Sequence, residues 1–234
     1  MRWASFILAA LFSWFPLPHH RLAVTRPAPL IKQVLTTKKV VALTFDDGPT
    51  ANWTPKVLQV LKENHVKATF FVIGNQAVKR PALVKEEVDA KMEIGSHGYE
   101  HKILRHSSAE VVKQEAQQNE VLLTSLGVPK PTLYRLPAGA SDSTALRVLG
   151  QMGYKVIGWS IDTRDWRRRY TAEDIAKQVE NEASPGAIII FHDGPNSSEA
   201  TVDAVKQIIP ALKTQGYQFD TVSQLLKLEK FAGR

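Results

Sequence analysis

Residues 40–49 read Val40-Val41-Ala42-Leu43-Thr44-Phe45 followed by Asp46-Asp47-Gly48-Pro49. The first six are apolar, β-branched or aromatic and do not alternate with polar residues, which is the pattern of a strand covered on both faces. The next four are polar and turn-forming, so the strand hands two adjacent carboxylates to the loop at its carboxyl end. The same device recurs downstream. Ala68 to Ile73, Met92 to Gly95, Thr132 to Arg135, Lys155 to Ile161, Ala187 to Phe191 and Tyr217 to Thr221 are further short apolar runs. Amphipathic helical patterns separate them. Alternating strands and helices with uniformly apolar strands predict an α/β protein built on a parallel sheet, either open and doubly wound or closed into a barrel. About seven strands in under 200 residues predict a small or incomplete (β/α) barrel.

Local signals place the helices. Thr54-Pro55 reads as an N-cap followed by proline at the first helical position. A helix over 76–90 is interrupted or restarted at Pro81. A long helix runs from Ser108, its N-cap, to Leu126, with Gly127 closing it. Ser141 to Met152 ends at Gly153. Thr171 and Asp174 resemble a capping box for a helix ending near Ala183. Ser198 to Thr214 is predicted to break at Pro210, and Ser223 to cap the last helix.

The chain has 234 residues, 30 Lys plus Arg, 23 Asp plus Glu and no cysteine. Zero cysteine excludes a disulfide scaffold, an iron–sulfur protein and a thiol nucleophile, and leaves His and carboxylate as the metal ligands available. The net charge of +7 lies almost wholly ahead of Asp46, the first acidic residue: Arg2, Arg21, Arg26, Lys32, Lys38 and Lys39 precede it. The rest of the chain carries a net of +1. That near-neutral body argues against a nucleic-acid partner. Its one dense basic run, Arg167-Arg168-Arg169, reads as a solvated loop, with a rim that touches an anionic polymer as the second reading. Arg2 followed by the apolar stretch Trp3 to Phe15, stopped by Pro16 and Pro18, reads as a secretory signal or a membrane anchor through residues 3–18. Residues 18–37 are Pro-rich, acid-free and aperiodic. The expected organisation is a leader and basic linker over 1–37 and a catalytic domain over 38–230. The expected location is outside the cytoplasmic membrane, secreted or anchored at its outer face.

The chemistry-bearing residues fall just past strand ends: Asp46 and Asp47, His97, Arg135, Asp162 and Asp165, and His192. In a parallel α/β fold these ends share one rim, where ligands bind. Singly, each has an ordinary explanation, such as a turn Asp or a structural Arg. Five strands delivering such residues to one rim do not. Asp47 with His97 and His101 would form a two-His, one-carboxylate set that leaves coordination positions open, as a catalytic metal needs. Asp46, pointing differently from Asp47, would remain free to take a proton from an activated water.

Thr44-Phe45-Asp46-Asp47-Gly48-Pro49, Ser96-His97-Gly98-Tyr99-Glu100-His101, Arg135-Leu136-Pro137-Ala138-Gly139, Asp162-Thr163-Arg164-Asp165-Trp166 and Ile189-Ile190-Phe191-His192-Asp193 resemble, in order, the five signatures of the polysaccharide deacetylases, carbohydrate esterase family 4. The resemblance covers roughly residues 38–228. It implies a distorted (β/α) barrel with fewer than eight strands and a divalent metal, usually zinc, with cobalt, nickel or manganese as alternatives, on Asp47, His97 and His101. It implies that Asp46 is the general base, that Arg135 orients it, and that His192, paired with Asp165, protonates the leaving amine. Trp166 and Ile189 would form the acetyl pocket, and the backbone N–H of Ala138 would help hold the oxyanion. The third signature often has an aromatic residue where this chain has Ala138. The N–H survives that change, but the wall a ring would give the sugar is missing.

The expected function is removal of N-acetyl groups from N-acetylglucosamine-type residues of a polysaccharide such as peptidoglycan, a chitin-like oligomer or exopolysaccharide. The alternatives are an O-acetyl esterase of the same family, for xylan-type substrates, and a non-catalytic carbohydrate-binding wall protein. A non-haem iron oxygenase with the same triad is opposed by the second Asp and by the Arg135 and Asp165–His192 complement.

Overall fold

The computed structural model describes residues 26–228 apart from Arg168, so the apolar leader of residues 3–18 lies outside the described residues. Nine strands form one sheet: β1 (Leu30–Ile31), β2 (Val40–Asp46), β3 (Thr69–Val72), β4 (Glu93–Ser96), β5 (Leu133–Tyr134), β6 (Lys155–Ile157), β7 (Ile161–Asp162), β8 (Ile188–His192) and β9 (Gln218–Phe219). The order is β1-β6-β5-β4-β3-β2-β8-β7, with β9 pairing β2, and every ladder between named strands is parallel. The sheet curls into a half-barrel. Its end strands β1 and β7 do not pair with each other among the described residues, and a single bridge joins Gln33 to Ala187.

Side-chain parity along the strands decides what the barrel contains. Val41, Leu43 and Phe45 face outward into the main core with Ile189 and Phe191, against α1 (Thr54–Glu63), α6 (Ala172–Glu182) and α7 (Glu199–Thr214). Val40 and Ala42 face inward with Phe71, Leu133, Ile157 and Ile188, and α8 (Val222–Leu226) plugs that end through Val222 and Leu225. Alternation along a strand continues this inner set to Thr44 and Asp46 on β2 and to Ile190 and His192 on β8. The hydrophobic plug at one end of the barrel and the polar cluster at the other are therefore made by the same faces of the same strands.

Several expectations are corrected. The strand predicted over Lys155 to Ile161 is two strands. β6 pairs β5 and β1 while β7 pairs β8, so the chain must cross between the two ends of the sheet at Gly158–Ser160. The strand count is nine rather than about seven, partly because β1 lies inside the segment read as aperiodic. Its two residues are too few to show a period, and their partners on β6 are over a hundred residues away. Trp53, not Thr54, is the N-cap of α1. Thr54 is buried, and its hydroxyl donates to Asp193 and accepts from the Thr50 N–H. Thr221, not Ser223, caps α8 in a capping box with Gln224. α7 runs unbroken through Pro210, because the proline sits on the exposed side, where the carbonyl it leaves unbonded meets water. The expected restart at Pro81 is seen as two helices, α2 (Gly74–Lys79) and α3 (Pro81–Asp89). Ser108 and the Thr171–Asp174 box cap α4 (Ala109–Ser125) and α6 as predicted.

Candidate active site

At the open end of the half-barrel lies a cavity of about 330 Å³ lined by residues that include Asp46, Asp47, His97, His101, Ala138, Trp166 and His192. Five strand ends contribute to it. β2 ends on Asp46, and Asp47 turns out of the strand with φ of 73°. That turn separates two neighbouring carboxylates: Asp46 stays in the barrel and Asp47 aims at the histidines. Two glycines permit the close approach of the β2 and β8 loops. A Cβ on Gly48 would lie 2.2 Å from Asp193 Oδ2, and one on Gly194 would lie 2.2 Å from the Asp47 Cβ.

Asp47 Oδ1 lies 3.3 Å from His97 Nε2 and 3.1 Å from His101 Nε2, and the three ligand atoms all fall within 4.8 Å of one another. Asp47 Oδ1 is a buried oxygen without a hydrogen-bond partner. His97 Nδ1 donates to the Arg135 carbonyl at 2.8 Å. A carbonyl can only accept, so Nδ1 carries a proton, and in the neutral ring the Nε2 lone pair would face Asp47. An orphaned carboxylate oxygen and imidazole nitrogens converging on one point fit a cation. Burial opposes the ionisation of Asp47, but the His101 and His97 contacts override it and hold the carboxyl far below its usual range. Burial likewise opposes protonation of His97, and the Asp46 and Asp47 carboxylates reverse that and raise its pKa.

Asp46 is buried and held by Arg135. Arg135 Nη1 donates to Asp46 Oδ1 at 2.7 Å and to Thr44 Oγ1 at 2.8 Å, and Nη2 donates to the Gly158 carbonyl at 2.9 Å. The fully buried guanidinium also lies 4.1 Å from the centre of the Phe71 ring. Asp46 Oδ2 is 3.7 Å from His97 Nε2, beside the candidate metal position but outside its ligand set. Across the cavity, His192 Nδ1 donates to Asp165 Oδ1 at 2.8 Å. Asp165 Oδ2 accepts from the His192 N–H and from Thr201 Oγ1, both at 2.9 Å. Burial disfavours the imidazolium, yet the Asp165 hydrogen bond and charge prevail and His192 is pushed up to about 9.

One predicted pocket residue is corrected. Ile189 does not face the cavity: it packs outward in the main core, fully buried. Ile190, one residue on and therefore on the inner face, lines it instead. Ala138 lines the cavity with φ of 53°, in a turn over Pro137–Gly139, and its N–H meets no protein acceptor among the described residues. Sequence reasoning passed over Trp159, Asn196 and Glu115. Trp159 lines the cavity and lies against Gly139, where a Cβ would meet its ring at 2.7 Å. The aromatic wall absent at Ala138 is supplied from the next strand connection. Glu115, buried on α4, accepts the N–H groups of both Tyr99 and Glu100 at 2.9 Å. One helical turn on, Asn119 donates to Ser96 Oγ and the Val72 carbonyl, both at 2.9 Å. α4 thus grips the loop that carries both histidines. In the sequence Glu115 is one polar residue among many in a helical pattern, and nothing there marks it.

A parallel (β/α) half-barrel with a candidate metal centre and two tuned acid–base groups at its carboxyl rim defines the class of protein. The comparisons carry this further. The polysaccharide deacetylase family profile matches residues 33–157. A peptidoglycan-N-acetylglucosamine deacetylase of Bacillus cereus is 36% identical over 197 residues, covering 83% of this chain and 92% of the relative. The peptidoglycan-N-acetylglucosamine deacetylase PgdA of Listeria monocytogenes is 38% identical over 190 residues, and there the match spans only 39% of the relative. Among solved structures, a peptidoglycan N-acetylglucosamine deacetylase in complex with 4-naphthalen-1-yl-N-oxidanyl-benzamide aligns with a TM-score of 0.82 at 33% identity, over 86% of this chain and 95% of that one. The chain belongs to the polysaccharide deacetylase family.

Proposed function

We propose that this chain is a metal-dependent deacetylase that hydrolyses the N-acetyl group of N-acetylglucosamine-type residues in peptidoglycan or a related polysaccharide, giving acetate and a free amine. The observation that carries this reading is the pairing, around one cavity, of a buried carboxylate held by Arg135 with a histidine held by Asp165. Two groups of opposite protonation state, each tuned by its own partner, are what a hydrolysis needs in order to remove one proton and supply another.

Asp47, His97 and His101 would hold the metal, and a two-imidazole, one-carboxylate set suits zinc. When bound, the ion supplies positive charge that polarises the acetyl carbonyl and acidifies water. Asp46, fixed through one oxygen by Arg135, accepts the proton of the attacking water at its other oxygen. His192 Nε2–H donates to the amide nitrogen as the C–N bond breaks. The Ala138 N–H, free of protein acceptors and fixed by its turn, donates to the oxyanion. Trp166, Ile190 and Trp159 exclude water around the acetyl and sugar groups. The catalytic unit is assigned to residues 38–230, together with the β1 strand just ahead of it. Secretion or anchoring through residues 3–18 is assigned to the leader, because the substrate lies outside the membrane. Among the described residues no helix is long and apolar enough to cross a membrane.

The direct test is acetate release by the purified full-length chain from N-acetylglucosamine oligomers and from peptidoglycan, with O-acetylated xylan as the competing substrate. A chelator should abolish turnover and zinc should restore it. Acetate released from xylan alone would reassign the enzyme as an O-acetyl esterase, and release unaffected by chelation would overturn the metal reading.

The His192–Asp165 pair makes a signed pH prediction. His192 acts protonated, so turnover should hold up to its raised pKa near 9 and fall as pH rises through it. Asp165→Asn removes the charge that raises this pKa. The alkaline limb of the pH–kcat profile should then move to lower pH, and kcat at neutral pH should drop by about 10²-fold. An unchanged limb would show that His192 is not the acid.

A further inference from the structure

The loop after β7 carries more positive charge than its surroundings. Arg164, Arg167 and Arg169 are all exposed and sit within six residues, on the segment that also supplies Trp166 to the cavity wall and Asp165 to His192. The Arg167 guanidinium lies 4.8 Å from the Trp166 ring centre, and Trp166 is both a cavity wall and 44% exposed. Arg169 donates to the Tyr170 hydroxyl at 2.9 Å. The Arg169 guanidinium also lies 4.9 Å from the Tyr170 ring centre. Among the described residues none of the three has a carboxylate within ion-pair reach. The acidic residues that open the neighbouring α6 are engaged elsewhere, Glu173 with Lys177 and Asp174 with Thr171. A body with a net charge of +1 thus places three unneutralised guanidiniums on one lip of its catalytic cavity.

Guanidinium groups bind carboxylates in a planar fork, and an exposed indole beside them gives a sugar ring an apolar face to lie on. We propose that this arginine lip binds the carboxylates of an acidic glycan while an acetylated sugar of the same chain occupies the cavity, so that the enzyme prefers carboxylate-bearing peptidoglycan to neutral chitin-type chains. This rests on the deacetylase reading. It deepens that reading by assigning substrate choice to side chains that take no part in the chemistry.

The test uses the full-length Arg167→Gln/Arg169→Gln variant in two assays. Cosedimentation with peptidoglycan and with chitin reads binding without turnover, so it decides the proposal even if the deacetylase reading fails. The variant should bind peptidoglycan roughly tenfold more weakly, chitin about as well as the parent, and the parent's preference should fade with added salt. In kinetics, the same variant should raise KM for peptidoglycan with little change in kcat. Equal weakening on both polymers, or none on peptidoglycan, overturns the proposal. So does a defect confined to vesicles of anionic lipid, which would make the lip a membrane contact.

Discussion

Asp46→Asn is expected to reduce turnover about 10³-fold while leaving metal affinity unchanged. The amide keeps the shape of the carboxylate and an oxygen for Arg135 Nη1, now donating at 2.7 Å. It cannot accept a proton at neutral pH. The three candidate ligands lie on Asp47, His97 and His101, outside the substitution. Acetate release and zinc content, measured on the same preparation, separate the two effects. Loss of metal together with activity would place Asp46 in the ligand set, and retained activity would overturn its role as base. Asp47→Ala cannot make this distinction, because it removes a ligand and turnover at once.

Arg135→Met should cost about 3–5 kcal/mol of stability, a fall in Tm of roughly 10 °C for a domain of this size, and most of the activity. The guanidinium is fully buried and satisfies Asp46, Thr44 and the Gly158 carbonyl at once. Methionine matches its stem but leaves a buried carboxylate without a cation. Most of the penalty therefore belongs to Asp46. Adding Asp46→Asn should recover part of the lost stability, a positive coupling in the double-mutant cycle. Thermal unfolding of the four proteins gives the answer. Strict additivity would mean that the pair contributes no more than its separate packing.

Much of this site was legible because its chemistry sits at strand ends, and strand ends are marked locally. Apolar runs stop just before Asp46, His97, Asp162 and His192, and strand–helix alternation implies a parallel sheet whose strand ends share one rim. What escaped depends on parity and on distant pairing. Ile189 and Ile190 are indistinguishable as letters. Which one faces the cavity follows from the register that sets Ile190 beside Thr44 and Asp162. Trp159 looked like part of a continuous strand until the chain's crossing from β6 to β7 turned it into a cavity wall. Glu115 sits in a helix whose sequence shows nothing of the loop it holds.

By itself, then, the sequence pointed to the α/β class, a parallel sheet with its polar residues at one rim, and the candidate ligand and acid–base residues, because these depend on local pattern and on which side chains can do the chemistry. Only the tertiary structure decided which isoleucine lines the cavity, which aromatic replaces the missing wall and where the free arginines stand. Those outcomes turn on strand register and on contacts between residues far apart in the chain, and no local pattern of residue types encodes them.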